Sequence, residues 1–295
     1  MEPVTRPSNH NTQGLRPTAD QADIFGVTHQ GRVRTENQDQ FLIASLHKIL
    51  QVHQTSLTEE ELGSLTSPWR GLLFLVADGV GGVPGGKRAS GTALKAIADY
   101  VTNAMDLYTT YGPEREPEFL SHLKKSIEKS HEAVTREGVR VSGSNEMPRM
   151  ATTVTMVTIR WPRVYIVHVG DSRAYRLRDG KLERMTRDQT MAQALVDAGV
   201  MQADAAESSA LKHVLWSAVG GSQANPEVMT TDIQWDDVML LCTDGLTKHV
   251  SEDEIRQQLI TSLPAETIAN NLVTLALERG GTDNITVVAG RLKQQ

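Results

Sequence analysis

A single cysteine, Cys242, stands among 295 residues, so no intrachain disulfide framework can form and a reducing compartment is expected. Aromatic residues make up only 4% of the chain, which leaves little material for the stacking surfaces that single-stranded nucleic acids use. Positive charge is not in excess either. Thirty Lys and Arg face 36 Asp and Glu, for a net charge of −6, whereas binding along a phosphate backbone calls for clustered cations. No apolar run approaches the ~18 residues of a membrane span, and the opening segment MEPVTRPSNHNTQGLRPTAD lacks the apolar centre of a signal peptide. These absences lead to the expectation of a cytoplasmic protein with no nucleic-acid partner and no membrane span. What remains, 39% hydrophobic and 22% charged residues, is enough to bury a core.

Residues 1–20, with Pro3, Pro7, Gly14 and Pro17 among polar neighbours, read as a flexible tail. After Asp20 short apolar segments begin: Ile24–Val27, Phe41–Ala44, and the unbroken run Leu72–Ala77, which suits a strand buried on both faces. Residues 46–70 read as an insertion, with a short helix near 58–62. Apolar residues then recur at helical spacing twice, at Ala93, Ile97, Val101 and Ala104, and at Phe119, Leu123, Ile127 and Val134. Strands return at Thr152–Ile159, Val164–Val169 and Arg173–Arg178, the last joined to Lys181–Met185 through the hairpin signal Asp179-Gly180. Asp188 is placed to cap a helix ending at Gly199, and 202–225 reads as irregular. Val228–Ile233, Val238–Cys242 and Ile285–Leu292 read as strands. A capping box at Ser251 and Glu254 and a start near Pro264 predict the last two helices. Nothing divides residues 21–293, which read as one domain of mixed helices and strands.

The informative pattern is the position of the aspartates. Asp78, Asp171 and Asp244 each follow an apolar strand directly, in FLVADG, IVHVGD and LLCTDG, while Asp39 and Asp283 precede strands. Strand ends of a packed sheet are where a rigid scaffold can gather side chains into a cleft. Two unit charges ~4 Å apart repel by ~4 kcal/mol at an effective dielectric of 20, so five converging carboxylates require protons or cations. A cluster of oxygen donors without cysteine favours Mg²⁺ or Mn²⁺ over Zn²⁺. Two such ions would activate a water and clamp an in-line attack on phosphorus. Gly79, Gly81 and Gly82 allow close backbone approach, so that the Gly79 carbonyl can be a ligand, and Arg34 offers a planar fork for a phosphate.

Plainer readings compete. A single Asp-Gly after a strand is ordinarily a turn; five acids so placed go beyond what turns require. His168, within an alternating strand, reads as a core or cleft-lining residue, and Cys242 as a buried apolar one. Gly79–Gly86 lacks the GxxxxGK[ST] pattern of a nucleotide-binding loop.

The segments GRVRTENQD, VADGVGG, MATT, VGDSR, CTDGL and GGTDN follow one another in the order found in metal-dependent Ser/Thr protein phosphatases of type 2C. From about Asp23 to Arg291 the chain resembles that family, and its compact bacterial members most. The resemblance implies an α+β fold: a four-layer α-β-β-α sandwich with two central, mostly antiparallel sheets flanked by helix pairs. It implies hydrolysis of phosphoserine and phosphothreonine by attack of a water bridging two metal ions, Mn²⁺ or Mg²⁺, with no covalent intermediate. By motif match, Asp78 bridges both metals, the Gly79 carbonyl binds one, and Asp244 and Asp283 complete the other. Asp39 acts close to the ions, and Asp171 with Asp244 matches the place of a third, weaker ion. Arg34 matches the phosphate-binding arginine, and Asn284 and Thr153 shape the cleft. Phosphorylated Ser/Thr proteins, with a cognate Ser/Thr kinase among them, are the implied partners. Val80, Ala151 and Gln189 depart from the common pattern, and 201–225 corresponds to a flap beside the cleft.

Two other classes compete with this one. A non-catalytic binding module built on the same fold is expected to have lost metal acids, and all are present. A metal-dependent phosphodiesterase or nuclease is disfavoured by the acidic charge.

Overall fold

Residues 17–47, 71–80, 85–109, 113–142 and 150–294 are described by the computed structural model. The tail to residue 16, Gly81, Gly82 and nearly all of the 46–70 insertion, with its expected helix, lie outside them.

Strands β1 (Ala22–His29) and β2 (Gln40–Leu46) flank the loop carrying Arg34 and Asp39, and β3 (Gly71–Ala77) is buried at every residue. Asp78 separates β3 from the two-residue β4 (Gly79–Val80). Helices α1 (Gly86–Asn103), α2 (Met105–Thr109) and α3 (Glu116–Ser142) follow. The expected strand 152–159 is broken in two. β5 (Ala151–Thr152) pairs with β4, while β6 (Val154–Arg160) joins β3, because Thr153 turns its backbone N–H to the Asp78 carbonyl instead of to a continuing ladder. β7 (Arg163–Val169), β8 (Arg173–Arg178) and β9 (Lys181–Arg184) come next. The β8–β9 turn has positive φ at both Asp179 (49°) and Gly180 (74°), the backbone that matches the twist of a two-residue hairpin.

Helix α4 (Met191–Asp197) is capped by Thr190, whose hydroxyl accepts from the Gln193 N–H at 3.2 Å. Asp188, expected as this cap, is instead drawn onto Arg173, a stronger partner than an open N–H group. The 202–225 stretch is not wholly irregular: it holds α5 (Ala203–Ser208) and a short 3₁₀ turn at Ala210–His213. β10 (Glu227–Asp232), β11 (Val238–Cys242), α6 (Asp244–Thr247), α7 (Glu252–Leu259), α8 (Ala265–Glu278) and β12 (Ile285–Leu292) complete the chain. The capping box forms as expected, with the Ser251 N–H donating to Glu254 and the Ser251 hydroxyl accepting in return.

Two five-stranded antiparallel sheets result, in the orders β1-β12-β11-β8-β9 and β10-β7-β6-β3-β2. Three apolar layers show how they stack. Phe74, Val76, Val157 and Ile166 of one sheet meet Ala174, Met239, Leu241 and Val288 of the other. The outer face of the β3 sheet, through Leu73, Leu75, Met156 and Val167, is covered by Ile97, Phe119, Leu123 and Ile127 of α1 and α3. The outer face of the β11 sheet, through Leu240, Cys242 and Val287, is covered by Ile255, Leu259, Ile268 and Leu272 of α7 and α8. This is the expected four-layer sandwich with a helix pair on each side. Apolar residues on alternate sides of every central strand are what allow both faces to be buried.

Register then places the acids. Gln40 pairs with Ala77, so Asp39 and Asp78 lie at one end of their sheet, and Val154 pairs with Val169, which brings Asp171 to the same end. In the other sheet Cys242 pairs with both Arg173 and Val287, so Asp244 and Asp283 emerge beside Asp171.

Candidate active site

Asp39 is buried between the sheets, and its Oδ2 accepts from the hydroxyls of Thr243 (2.8 Å) and Thr286 (2.7 Å). Thr286 in turn meets Thr28 Oγ1 at 2.8 Å, to which Asn37 Nδ2 donates at 2.9 Å, so a ladder of hydroxyls and an amide fixes this carboxylate. Burial pushes Asp39 up to about 7 against the pull of the two threonines.

Asp78 is anchored through its backbone. Its N–H donates to Thr153 Oγ1 (3.0 Å), and its carbonyl accepts from the Thr153 N–H and the Thr152 hydroxyl. Packed round by protein yet still reached by solvent, its carboxyl is raised well above the usual carboxylate range, first by burial and then by Asp39, Asp244, Asp171 and Asp283. All four other acids therefore act on Asp78. Asp171 is raised likewise, by burial and then by Asp244 above other charges. Beneath it Arg173 grips Asp188 through Nε (3.0 Å) and Nη2 (2.7 Å), and Gln189 accepts from the Gly170 N–H at 3.1 Å while donating to the Asn225 carbonyl.

Asp283 has a different environment. Arg34 donates to both of its oxygens, at 2.7 and 2.8 Å, and Lys248 Nζ approaches Oδ2 at 2.6 Å. Burial disfavours its charge, but these two cations hold its carboxyl below the ordinary range. The fork of Arg34, expected to face a phosphate, is turned onto this acid. Asn284 ties the Arg34 loop down, donating to the carbonyls of Gln30 and Glu36 and accepting from the Gln38 N–H. Gly79 lies against Gly86 at the start of α1: a Cβ on Gly79 would meet the Gly86 backbone, and one on Gly86 the Gln38 side chain and then the Gly79 carbonyl oxygen.

Sequence reasoning missed Lys248. It stands four residues after Asp244 across the single turn of α6, and its ammonium reaches Asp244 Oδ2 at 2.6 Å as well as Asp283. It also missed Thr243 and Thr286, which read only as strand residues. His168 is the satisfied core residue expected: Nδ1 lies 2.9 Å from Thr155 Oγ1, Nε2 lies 3.1 Å from the Arg187 carbonyl, and burial lowers it to about 4. Burial pushes the Cys242 thiol up to about 12, which makes it inert as a nucleophile.

The donor set suits hard divalent cations. Asp39 Oδ1 and Asp244 Oδ1 are buried and meet no hydrogen-bond donor among the described residues, and such orphaned anionic oxygens call for a cation. As the side chains stand, no group of three His, Cys, Asp or Glu among the described residues is arranged to hold one ion. Asp283 and Asp244 are instead engaged by the cations Arg34 and Lys248.

The sequence profile of protein phosphatase 2C matches residues 53–276. The chain belongs to this family. It is similar to the serine/threonine protein phosphatase PstP of Mycobacterium tuberculosis, 33% identical over 218 residues, or 73% of this chain and 39% of that protein. It is 31% identical to the serine/threonine phosphatase stp of Listeria monocytogenes, over 73% of this chain and 82% of that one. The chain thus spans well under half the length of the mycobacterial relative and most of the Listeria one. Among solved structures, M. tuberculosis PstP/Ppp superposes with a TM-score of 0.72 at 28% identity, covering 92% of this chain and 99% of that chain. The PstP catalytic domain solved in complex with two manganese ions has a TM-score of 0.69 at 28% identity, with the same coverage.

Proposed function

We propose that this chain is a metal-dependent protein phosphatase that hydrolyses phosphoserine and phosphothreonine without a covalent intermediate. The observation that carries the reading is the gathering of Asp39, Asp78, Asp171, Asp244 and Asp283 at one end of the two sheets, from segments spread over the sequence. Asp78 and the Gly79 carbonyl, together with Asp244 and Asp283, would hold two Mn²⁺ or Mg²⁺ ions, and Asp171 with Asp244 a third, weaker one. When bound, the ions would supply an activated water and neutralise the phosphoryl oxygens. Arg34, half exposed beside Asp283, is the group that would hold those oxygens in its fork. Asp39, fixed through Oδ2 by two threonines, keeps Oδ1 without a donor among the described residues and would accept a proton from the attacking water. The inert thiol of Cys242 agrees with direct attack by water. The names of the relatives support phosphorylated Ser/Thr proteins as substrates. A cognate Ser/Thr kinase would be one of them. A cytoplasmic location agrees with the single cysteine and with the absence of any membrane-crossing helix among the described residues.

Asp244→Ala removes one acid and one of the two carboxylates that hold Lys248. It is expected to abolish Mn²⁺-dependent release of phosphate from p-nitrophenyl phosphate. Undiminished turnover in that variant would defeat the assignment.

A further inference from the structure

Lys248 contacts two carboxylates at once, Asp244 Oδ2 and Asp283 Oδ2, each at 2.6 Å. These are the acids that the family resemblance assigns to the same ion. An ammonium has three donors and no acceptor, so it can neutralise those oxygens but can never join a metal's ligands. Both oxygens of Asp283 are already taken by cationic donors, so a divalent ion that uses this acid has to displace one of them. An ammonium held between the two acids also repels such an ion at a few ångströms. The side chain is not a loose surface group. It is 25% exposed, and its backbone N–H closes α6 by donating to the Asp244 carbonyl at 2.9 Å. Arg34 reaches Asp283 as well, but from the half-exposed rim, with solvent into which it can withdraw.

We propose that Lys248 is a built-in counter-ion that neutralises Asp244 and Asp283 when no metal is bound and must leave them when a divalent ion enters, so that it sets how weakly that ion is held. The inference rests on the metal-dependent reading above. Its chemical consequence is an exchange at fixed ligands, in which one ammonium departs and one Mn²⁺ or Mg²⁺ arrives. The fold is thereby spared an uncompensated acidic cluster in the metal-free state, and the same charge lowers affinity for the ion.

Calorimetric titration of Mn²⁺ into the full chain and into Lys248→Met, which keeps the stem and removes the charge, tests this directly. One ion is expected to bind the variant roughly tenfold to a hundredfold more tightly, the range of an ordinary coupling between two sites. The thermal midpoint of the variant should fall below that of the unaltered chain without metal and match it at saturating Mn²⁺. Unchanged or weaker Mn²⁺ binding overturns the proposal, as does an equal loss of midpoint with and without metal, which is the mark of a purely structural lysine. Binding of Mn²⁺ to neither protein removes the phosphatase reading itself. A measurement that needs no variant follows the ammonium of Lys248 by ¹⁵N NMR as Mg²⁺ is added. Its slowly exchanging signal should be lost or move to the position of a free lysine, and a signal that persists unaltered at saturation overturns the proposal.

Discussion

Asp39 is an acid held by neutral hydroxyls, and this makes it sensitive to single methyl-for-hydroxyl exchanges. Thr286→Val keeps the shape of the side chain while removing one of the two donors to Oδ2. Hydrogen bonds to charged groups contribute ~1.5–3 kcal/mol, and a loss of that size is expected in urea unfolding at pH 8 without metal. A variant as stable as the parent would show that the second threonine suffices. At this scale the five aspartates were legible because each stands directly at the exit or entry of an apolar strand, where no packing reason demands an acid. The threonines were not, since Thr243 and Thr286 are equally good strand residues. The pairing of Arg34 with Asp283 was hidden by their separation of 249 positions. Lys248 did carry a signal in its i,i+4 relation to Asp244, but that spacing is commonplace on exposed helices and only the convergence of Asp283 gives it weight.

The elements that hold these residues are short and tightly apposed. α6 lies so close to the strand after Asp283 that a Cβ on Gly245 would collide with the Asn284 backbone carbonyl. Backbone cannot yield as a flexible side chain can, so Gly245→Ala is expected to displace Asp244 and lower phosphatase activity by at least about tenfold. Activity on p-nitrophenyl phosphate, with circular dichroism to establish that the sheets persist, provides the check. Long periodic elements such as α1 and α3 could be read from apolar spacing alone, and α8 from its start near Pro264. The break between β5 and β6 could not, because Thr-Thr-Val-Thr is a uniform run of strand formers and the interruption comes from the Asp78 carbonyl. The short α5 escaped for a related reason. It buries no residue, so it carries no apolar face to betray it.

For the molecule as a whole, apolar patterning showed helices with one apolar stripe lying on a sheet, while the order of four layers came from the family resemblance. The sheet order followed from neither, because pairing depends on contacts between distant parts of the chain. The strand last in sequence, β12, lies inside its sheet, between β1 and β11, instead of at an edge. A chain stopped after Arg279 would leave β1 without a partner, strip one edge of β11, and expose the core residues that pack on Val287 and Ala289. It is expected to lose the cooperative thermal transition and its near-ultraviolet dichroism, and a sharp melt in that product would contradict the account. On a ribosome the same arrangement imposes an order of events. Asp39, Asp78, Asp171 and Asp244 are all synthesised before the strand that gathers them, so a nascent or clipped polypeptide carries its acids scattered, and the cleft comes into being only once β12 has emerged.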